Sequence, residues 1–337
     1  MPVHIAQIEY HLPARVVTTD ELAAENPAWE LGNVLHRTGV LARHVAAENE
    51  TALDLAVEAC RKLLASRGGD DAAKLIDAIL FCTQSQDYIM PANSSLLHAR
   101  LELPANVFAI DINSACAGFV HGLTIANGLI LGGQVNNVLL VNADTYSKYV
   151  HPKDRSTRVL FGDGAAATWL TRDETRGIRD IVAATWGKLS DKFIIPAGGC
   201  RLPRSPETAK PIERDKGAVT TQDHINMDGM GILQFVSGRV PQQVREILDR
   251  NKLTADDIDV FVFHQASRVA LDTLTRQLRL DPKKVFSNLE RIGNVVSASI
   301  PVAMKDAIGA GVIKPGSKVL ACGFGVGLTW ASAIIDF

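Results

Sequence analysis

No apolar run in this 337-residue chain reaches the ~18 residues that a membrane-crossing helix requires. Its opening, MPVHIAQIEYHLP, has no basic segment followed by a long apolar stretch, so no export signal is expected. Cysteine is scarce: the five stand at 60, 82, 116, 200 and 322, with no CxxC among them. An odd number at such spacings speaks against a disulfide framework and against structural zinc, and a reducing cytoplasm is the expected setting. Charge excess is missing too. With 35 basic and 37 acidic side chains the net charge is -2, which gives no reason to expect nucleic acid or an anionic membrane as a bulk partner. The glycine-rich stretches FGDGAAATWL at 161 to 170 and FGVGLTW from 324 do not match GxGxxG, so a dinucleotide or P-loop reading has little support.

What the chain does have is apolar residues, 47% of the total, enough for a large core in two domains or one double unit. It also repeats itself. IDAILFC at 76 to 82 has a counterpart in IDVFVFH at 258 to 264. Both are short apolar runs behind an acidic residue, and both read as buried strands. About thirty residues later each copy has a small-residue segment opening a helix, NSACAGF from 113 and VVSASIP from 295. A helix with glycine near its end follows, then another buried strand, VLLV from Val138 and VLAC from Val319. The offset stays at about 182 residues, a register that chance would not hold over three elements. An α/β fold of two tandem units is expected, residues 1–172 and 173–337, with the seam in TRDETRGIR. Only Lys188 to Thr221 lacks a counterpart. Rich in proline, glycine and charge, it reads as a long surface excursion of the kind that forms lids and substrate walls.

Four positions carry candidate chemistry. Cys116 follows a predicted strand (107–112) and precedes a predicted helix beginning AGFVHGL. Its thiol then stands at a helix N-terminus, where the dipole and free N–H groups are expected to lower its pKa from about 8.5. Ala115, Ala117 and Gly118 leave room for a substrate. Taken alone, the position suits a nucleophile and a buried core cysteine equally well. His264 ends a buried strand, either as a satisfied core histidine or as a base or donor at the carboxyl edge of a sheet. Its registered partner in the first copy is Cys82. Asn294, in RIGNVVSAS, is a turn residue or, if the halves pack about a pseudo-twofold, the third member of a nucleophilic site with Cys116 and His264. Val326, flanked by glycines, lies where backbone can approach a ligand and offer an N–H to an oxyanion, or in a plain tight turn.

With these segments in hand, the chain resembles β-ketoacyl-[acyl-carrier-protein] synthase III and its relatives. The similarity runs in order through HLPARVVTTDEL, RTG at 37 to 39, SACAGF, FGDGAAA, HQAS, GNVVSASIP and the final FGVGLTW. The resemblance implies the thiolase fold, five αβαβα layers from two duplicated βαβαβαββ halves, and a homodimer. It implies that Cys116 takes an acyl group from acyl-CoA. His264 and Asn294 would then hold the thioester carbonyl of a malonyl donor, on acyl carrier protein or CoA, whose decarboxylation gives the enolate that attacks acyl-Cys116. Backbone N–H groups of Cys116 and Val326 would form the oxyanion hole. Arg37 and Arg155 would meet the CoA nucleotide, and Arg268 would join them in CoA or carrier binding. Neither metal nor cofactor is called for. The chain departs from the pattern in places. Valine stands at 326 where the best-known members have glycine, and Gln234 replaces a family lysine, although Arg268, Arg276 and Arg279 keep that region basic. The family's adenine-stacking tryptophan falls at Asn33, with Trp29 one helical turn away. Met90-Pro91 replaces the Phe-Pro that closes the acyl tunnel from the partner subunit. Met90 at that gate predicts an acyl pocket other than the short acetyl type.

Two further readings compete. An acyltransferase could keep the Cys116 step but pass the acyl group to an oxygen or nitrogen nucleophile, in a secondary-metabolite or polysaccharide pathway. A catalytically silent subunit would instead bind an active partner; an intact Cys, His and Asn set argues against it. The paired His264 and Asn294 favour condensation, because simple acyl transfer needs a base but no Asn.

Overall fold

Near-continuous apolar runs suit strands buried on both faces, and the computed structural model makes them so. It describes residues 1–214 and 217–337, apart from the side chain of Asn33. The first sheet holds β1 (Val3–His11), β2 (Ala78–Cys82), β3 (Phe108–Ile112), β4 (Val138–Asp144) and β5 (Gly164–Arg172), ordered β1-β5-β4-β2-β3. The second holds β6 (Gly177–Thr185), β7 (Val260–Phe263), β8 (Lys318–Gly325) and β9 (Thr329–Asp336), ordered β6-β9-β8-β7. In the first sheet β2 runs parallel to β3 and β4, while β5 runs antiparallel to β4 and β1. The second repeats this with β7 parallel to β8 and β9 antiparallel to both β8 and β6.

Alternation along each strand builds the layers. Ala78 and Leu80 of β2 share one central core with Val260 and Val262 of β7, while Ile79 and Phe81 face outward into a second. Phe261 and Phe263 do the same for a third core on the far side of the second sheet. Five principal helices fill the gaps: α1 (Ala52–Ala65), α2 (Gly118–Leu131), α3 (Gly229–Arg250), α4 (Arg268–Gln277) and α5 (Ser299–Gly309). Residues of α2 and α5 sit in the central core, those of α1 cover the first sheet, and those of α3 and α4 cover the second. The result is the five-layered arrangement expected. Each fully buried Leu, Ile or Phe in these layers contributes about 1.5–3 kcal/mol. Among the described residues no helix is long and apolar enough to cross a membrane.

The duplication is incomplete. The counterpart of β3 in the second half shrinks to a single parallel bridge between Phe261 and Val285. Just before it, Pro282–Lys284 winds into a 3₁₀ turn. Past Phe286 the chain leaves the sheet: Ser287 Oγ (2.7 Å) and Asn288 N–H (3.3 Å) donate to Gln265 Oε1, and a short helix begins at Leu289. The excursion over 188–221 is also not wholly irregular: Phe193–Ile194 pairs with Asn226–Met227, and Ile212–Glu213 with Val219–Thr220.

Candidate active site

Parallel strands deliver their carboxyl ends to one edge, and the following turns decide what stands there. On the first half that edge carries Cys116, two residues before α2 begins at Gly118. On the second it carries His264, whose N–H donates to Cys322 O of β8 (2.8 Å). Asn294 reaches the same place because its backbone is tied to the first half. Its N–H donates to Leu160 O (2.9 Å), and Gly162 N–H donates to its carbonyl (3.0 Å). Gly293 makes this possible: its φ is +73°, and a Cβ there would stand 3.0 Å from Leu160 O. Cys116, His264 and Asn294 line one cavity of about 280 Å³, together with Arg37, Arg155 and Phe193. The three are 3%, 1% and 4% exposed.

The Asn294 amide has a defined orientation. Val296 N–H donates to Asn294 Oδ1 (3.0 Å), which leaves both Nδ2 hydrogens for a ligand. Val296 makes this contact at φ +53°, a strained conformation for a β-branched residue. His264 stands edge-on to Phe324, ring centroids 5.6 Å apart, and its Nδ1 has no partner among the described residues. Burial drops its pKa to about 3, so the imidazole is neutral at physiological pH and has no carboxylate behind it. Such a ring can donate one hydrogen bond, or take a proton only transiently.

The thiol corrects an expectation. Its place at a helix N-terminus was read as lowering the pKa, but burial, and then the Asp144 carboxylate, push Cys116 up to about 12. Backbone N–H groups of Cys116 and Val326 face the sulfur and act the other way, without prevailing. Nearly complete desolvation outweighs one helix end. The same two N–H groups are suited to a tetrahedral oxyanion on carbon bonded to that sulfur. Gly325 allows the approach: a Cβ there would lie 2.8 Å from both Cys116 Cβ and Sγ. A thiol pKa near 12 leaves on the order of one thiolate in 10⁵ at pH 7, and that fraction grows with pH. Iodoacetamide alkylation of Cys116, followed by peptide mass, is therefore expected to rise about tenfold per pH unit between about pH 8 and 9 and less steeply through about pH 7, where Asp144 gains the charge that opposes the thiolate. A plateau in that range would show a thiolate already stabilised in the free protein. Asp144→Asn, which removes the opposing charge, is expected to speed alkylation at pH 8.

Not every expected residue meets at this cavity. Arg37 and Arg155 do, with Arg155 Nη1 donating to Trp29 O (3.0 Å). Trp29 itself is packed among Val17, Leu22, Leu31 and Val159, so its ring cannot stack on a nucleotide; the side chain of Asn33 lies outside the described residues. Arg268 starts α4 instead, 4.0 Å from Glu290, on a separate groove with Arg276 and Arg279. Val326 lies between the Cys116 sulfur and a second cavity that it also lines. Met90 is 79% exposed on this single chain and touches neither cavity.

Asp144 went unnoticed in the sequence. It ends β4, wholly buried, and accepts from Ser297 Oγ (2.5 Å), Ser297 N–H (3.2 Å) and Gln84 N–H (2.8 Å). Ser297 comes from the other half, so this carboxylate joins the halves behind the nucleophile, and burial raises its pKa to about 7. An acid closing the apolar run VLLVNAD was the available signal.

Comparison with known proteins agrees with this architecture. Residues 110–188 match the family model for 3-oxoacyl-[acyl-carrier-protein] synthase III, and residues 248–337 match the model for its C-terminal part. The chain is 36% identical to a β-ketoacyl-[acyl-carrier-protein] synthase III of Campylobacter curvus, over 99% of this chain and 96% of that one. It is 34% identical to the Acidiphilium cryptum protein of the same name, over 97% of each. A crystal structure of a 3-oxoacyl-(acyl-carrier-protein) synthase III superposes with a TM-score of 0.96 at 38% identity, covering all of both chains. With a buried cysteine, histidine and asparagine gathered at the joint of a duplicated α/β fold, the chain belongs to the 3-oxoacyl-[acyl-carrier-protein] synthase III family and is a condensing acyltransferase of that type.

Proposed function

We propose that the enzyme moves an acyl group from acyl-CoA to the Cys116 sulfur and then joins it to a malonyl thioester by decarboxylative Claisen condensation, in fatty acid or related biosynthesis. The observation that carries this reading is the meeting of Cys116, His264 and Asn294 on one cavity whose lining also holds Arg37 and Arg155. In the first half-reaction the thiol attacks the thioester carbonyl, its proton leaves through His264 or solvent, and CoA departs as its thiol. Main-chain N–H groups of Cys116 and Val326 stabilise the oxyanion. In the second, the malonyl thioester carbonyl accepts from Asn294 Nδ2 and from His264. Loss of carbon dioxide leaves an enolate on that carbonyl, its carbon attacks acyl-Cys116, and the C–S bond breaks to return the cysteine. A neutral histidine suits this work, because it is asked to donate to a developing negative charge without first being ionised. Arg37 and Arg155 would meet the CoA phosphates, and Arg268, with Arg276 and Arg279, would meet an acidic carrier protein.

Intact-mass spectrometry tests the scheme. Incubation with acyl-CoAs should add the acyl mass, and adding malonyl-CoA or malonyl-carrier protein should release carbon dioxide and a ketoacyl product. Transfer of the acyl group to an alcohol or amine without carbon dioxide would favour the O- or N-acyltransferase reading instead.

The working unit is proposed to be a homodimer in a reducing cytoplasm. All five cysteines are free. β3 is an edge strand, and beside it Tyr88, Ile89 and Met90 form an exposed apolar tip, Ile89 being 95% exposed. A second copy covering that edge would bring its Met90 toward the second cavity. Light scattering after gel filtration is expected to give the mass of two chains, falling toward one for Ile89→Glu. A monomeric parent protein would remove this part of the scheme.

A further inference from the structure

The second cavity, about 580 Å³, has a lining that a plain alkyl chain does not need. It adjoins the nucleophile: Val326 and Phe193 line it, Phe193 also lines the Cys116 cavity, and Tyr146 packs in one cluster with Cys116. Neither His264 nor Asn294 is on its walls. Alkyl chains are usually matched by aliphatic and aromatic side chains, with few polar groups. Here Ile89, Ile194 and Ile195 share the walls with Gln84, Asn113, Tyr149 and Arg204.

A count of hydrogen-bonding groups shows what is left over. Tyr146 Oη donates to Gln84 Oε1 (2.6 Å), and Gln84 Nε2 donates to Asn113 Oδ1 (2.8 Å). That chain ends with the two Nδ2 hydrogens of Asn113 uncommitted. The Tyr149 hydroxyl and the Arg204 guanidinium also lack a hydrogen-bond or ion-pair partner among the described residues. The one acid on the lining, Asp87, is already engaged, accepting from Thr51 Oγ1 (3.0 Å) and Asn93 Nδ2 (3.4 Å). Arg204 is near enough to Tyr149 to oppose the rise in its phenol pKa that burial, and then Asp144, produce. The exposed Gln86 amide and Tyr88 hydroxyl on the same lining, like the Tyr149 hydroxyl, can donate or accept; Asn113 Nδ2 and Arg204 can only donate, and Arg204 is the one cation on the lining.

We propose that this cavity receives an acyl chain whose far end carries a hydrogen-bond acceptor, a terminal carboxylate being the best match, so that the acyl donor is the CoA half-thioester of a dicarboxylic acid. This rests on the proposed acylation of Cys116. Arg204 is exposed on the single chain, so water weakens its pull, and the expected preference is about tenfold rather than thousandfold.

The test compares acylation rates of Cys116, read as intact mass, for succinyl- and glutaryl-CoA against pentanoyl- and hexanoyl-CoA. The expected result is a dicarboxylic-to-alkyl rate ratio of about ten. Arg204→Leu should bring the ratio near one, and Arg204→Lys should keep part of it. Both rates are read in one preparation, so loss of folded protein cancels from the ratio. A ratio of one or below in the parent protein overturns the inference, as does a ratio that survives Arg204→Leu. An adduct with alkyl-CoAs but no preference refutes the inference alone. No adduct with any thioester refutes the acylation of Cys116 and the inference with it.

Discussion

Cys116→Ala is expected to abolish the acyl adduct and to reduce turnover by at least about a thousandfold. None of the other cysteines can take over. Cys60, Cys82 and Cys322 are buried away from the cavity lining, and Cys200 is exposed on the excursion. Burial pushes the thiols of Cys60, Cys82 and Cys322 upward, and only Cys116 faces two backbone N–H groups that can hold an oxyanion. The measurement is intact mass after incubation with acyl-CoA, with peptide mapping of any residual adduct. An adduct that persists at another residue would show that the acyl group is carried elsewhere. Cys116→Ser is a sharper companion: an alkoxide is harder to form than a thiolate and leaves less readily, so an adduct that forms at all should turn over slowly.

Asn294→Ala and His264→Ala are expected to divide the two half-reactions. Each removes a hydrogen bond proposed to strengthen as the enolate forms, so condensation should fall about 10²–10³-fold. Acylation should fall much less for Asn294→Ala, since the Cys116 and Val326 N–H groups remain. Asn294→Asp is the informative variant. It preserves shape and the acceptor for Val296 N–H, but replaces the two donor hydrogens with a second acceptor oxygen. It should condense no better than alanine. Acylation is read as adduct mass per unit time, and condensation as carbon dioxide release from a pre-acylated enzyme. Equal loss of both half-reactions would count against the roles given to these two residues. Because burial holds His264 down at about 3, the condensation rate should not track histidine ionisation between about pH 5 and 8. A rate that rises with a pKa near 6.5 would require a different protonation state.

Much of this was legible in the residues themselves. IDAILFC and IDVFVFH could be read as buried strands because strands covered on both faces by helices need apolar residues at every position. Their common spacing exposed the duplication, and the duplication put Cys116, His264 and Asn294 on matching edges. What failed did so for local physical reasons. The last parallel strand of the second half stops at one bridge, although the duplication called for a strand, because Ser287 and Asn288 turn to the Gln265 side chain. The resemblance put Trp29 one helical turn from the adenine-stacking position, but whether its ring faced solvent depended on Val17, Leu22 and Val159, which come from other segments.

By itself, then, the sequence determined the layered α/β fold, its doubling, the family, and the three residues gathered at its centre. The buried strands and the doubling follow from periodicity and spacing, which act along the chain; the layering, the family and the roles of the three residues follow from the resemblance of its motifs. Tertiary structure decided the ionisation of the site and the character of the second cavity. The thiol lies near 12 because burial and Asp144 outweigh a helix end. Arg204, Tyr149 and Asn113 share a wall only because the excursion folds back over the first half. Desolvation and charge act through space, between groups that the chain separates by tens to hundreds of residues, and no run of neighbours in the sequence records them.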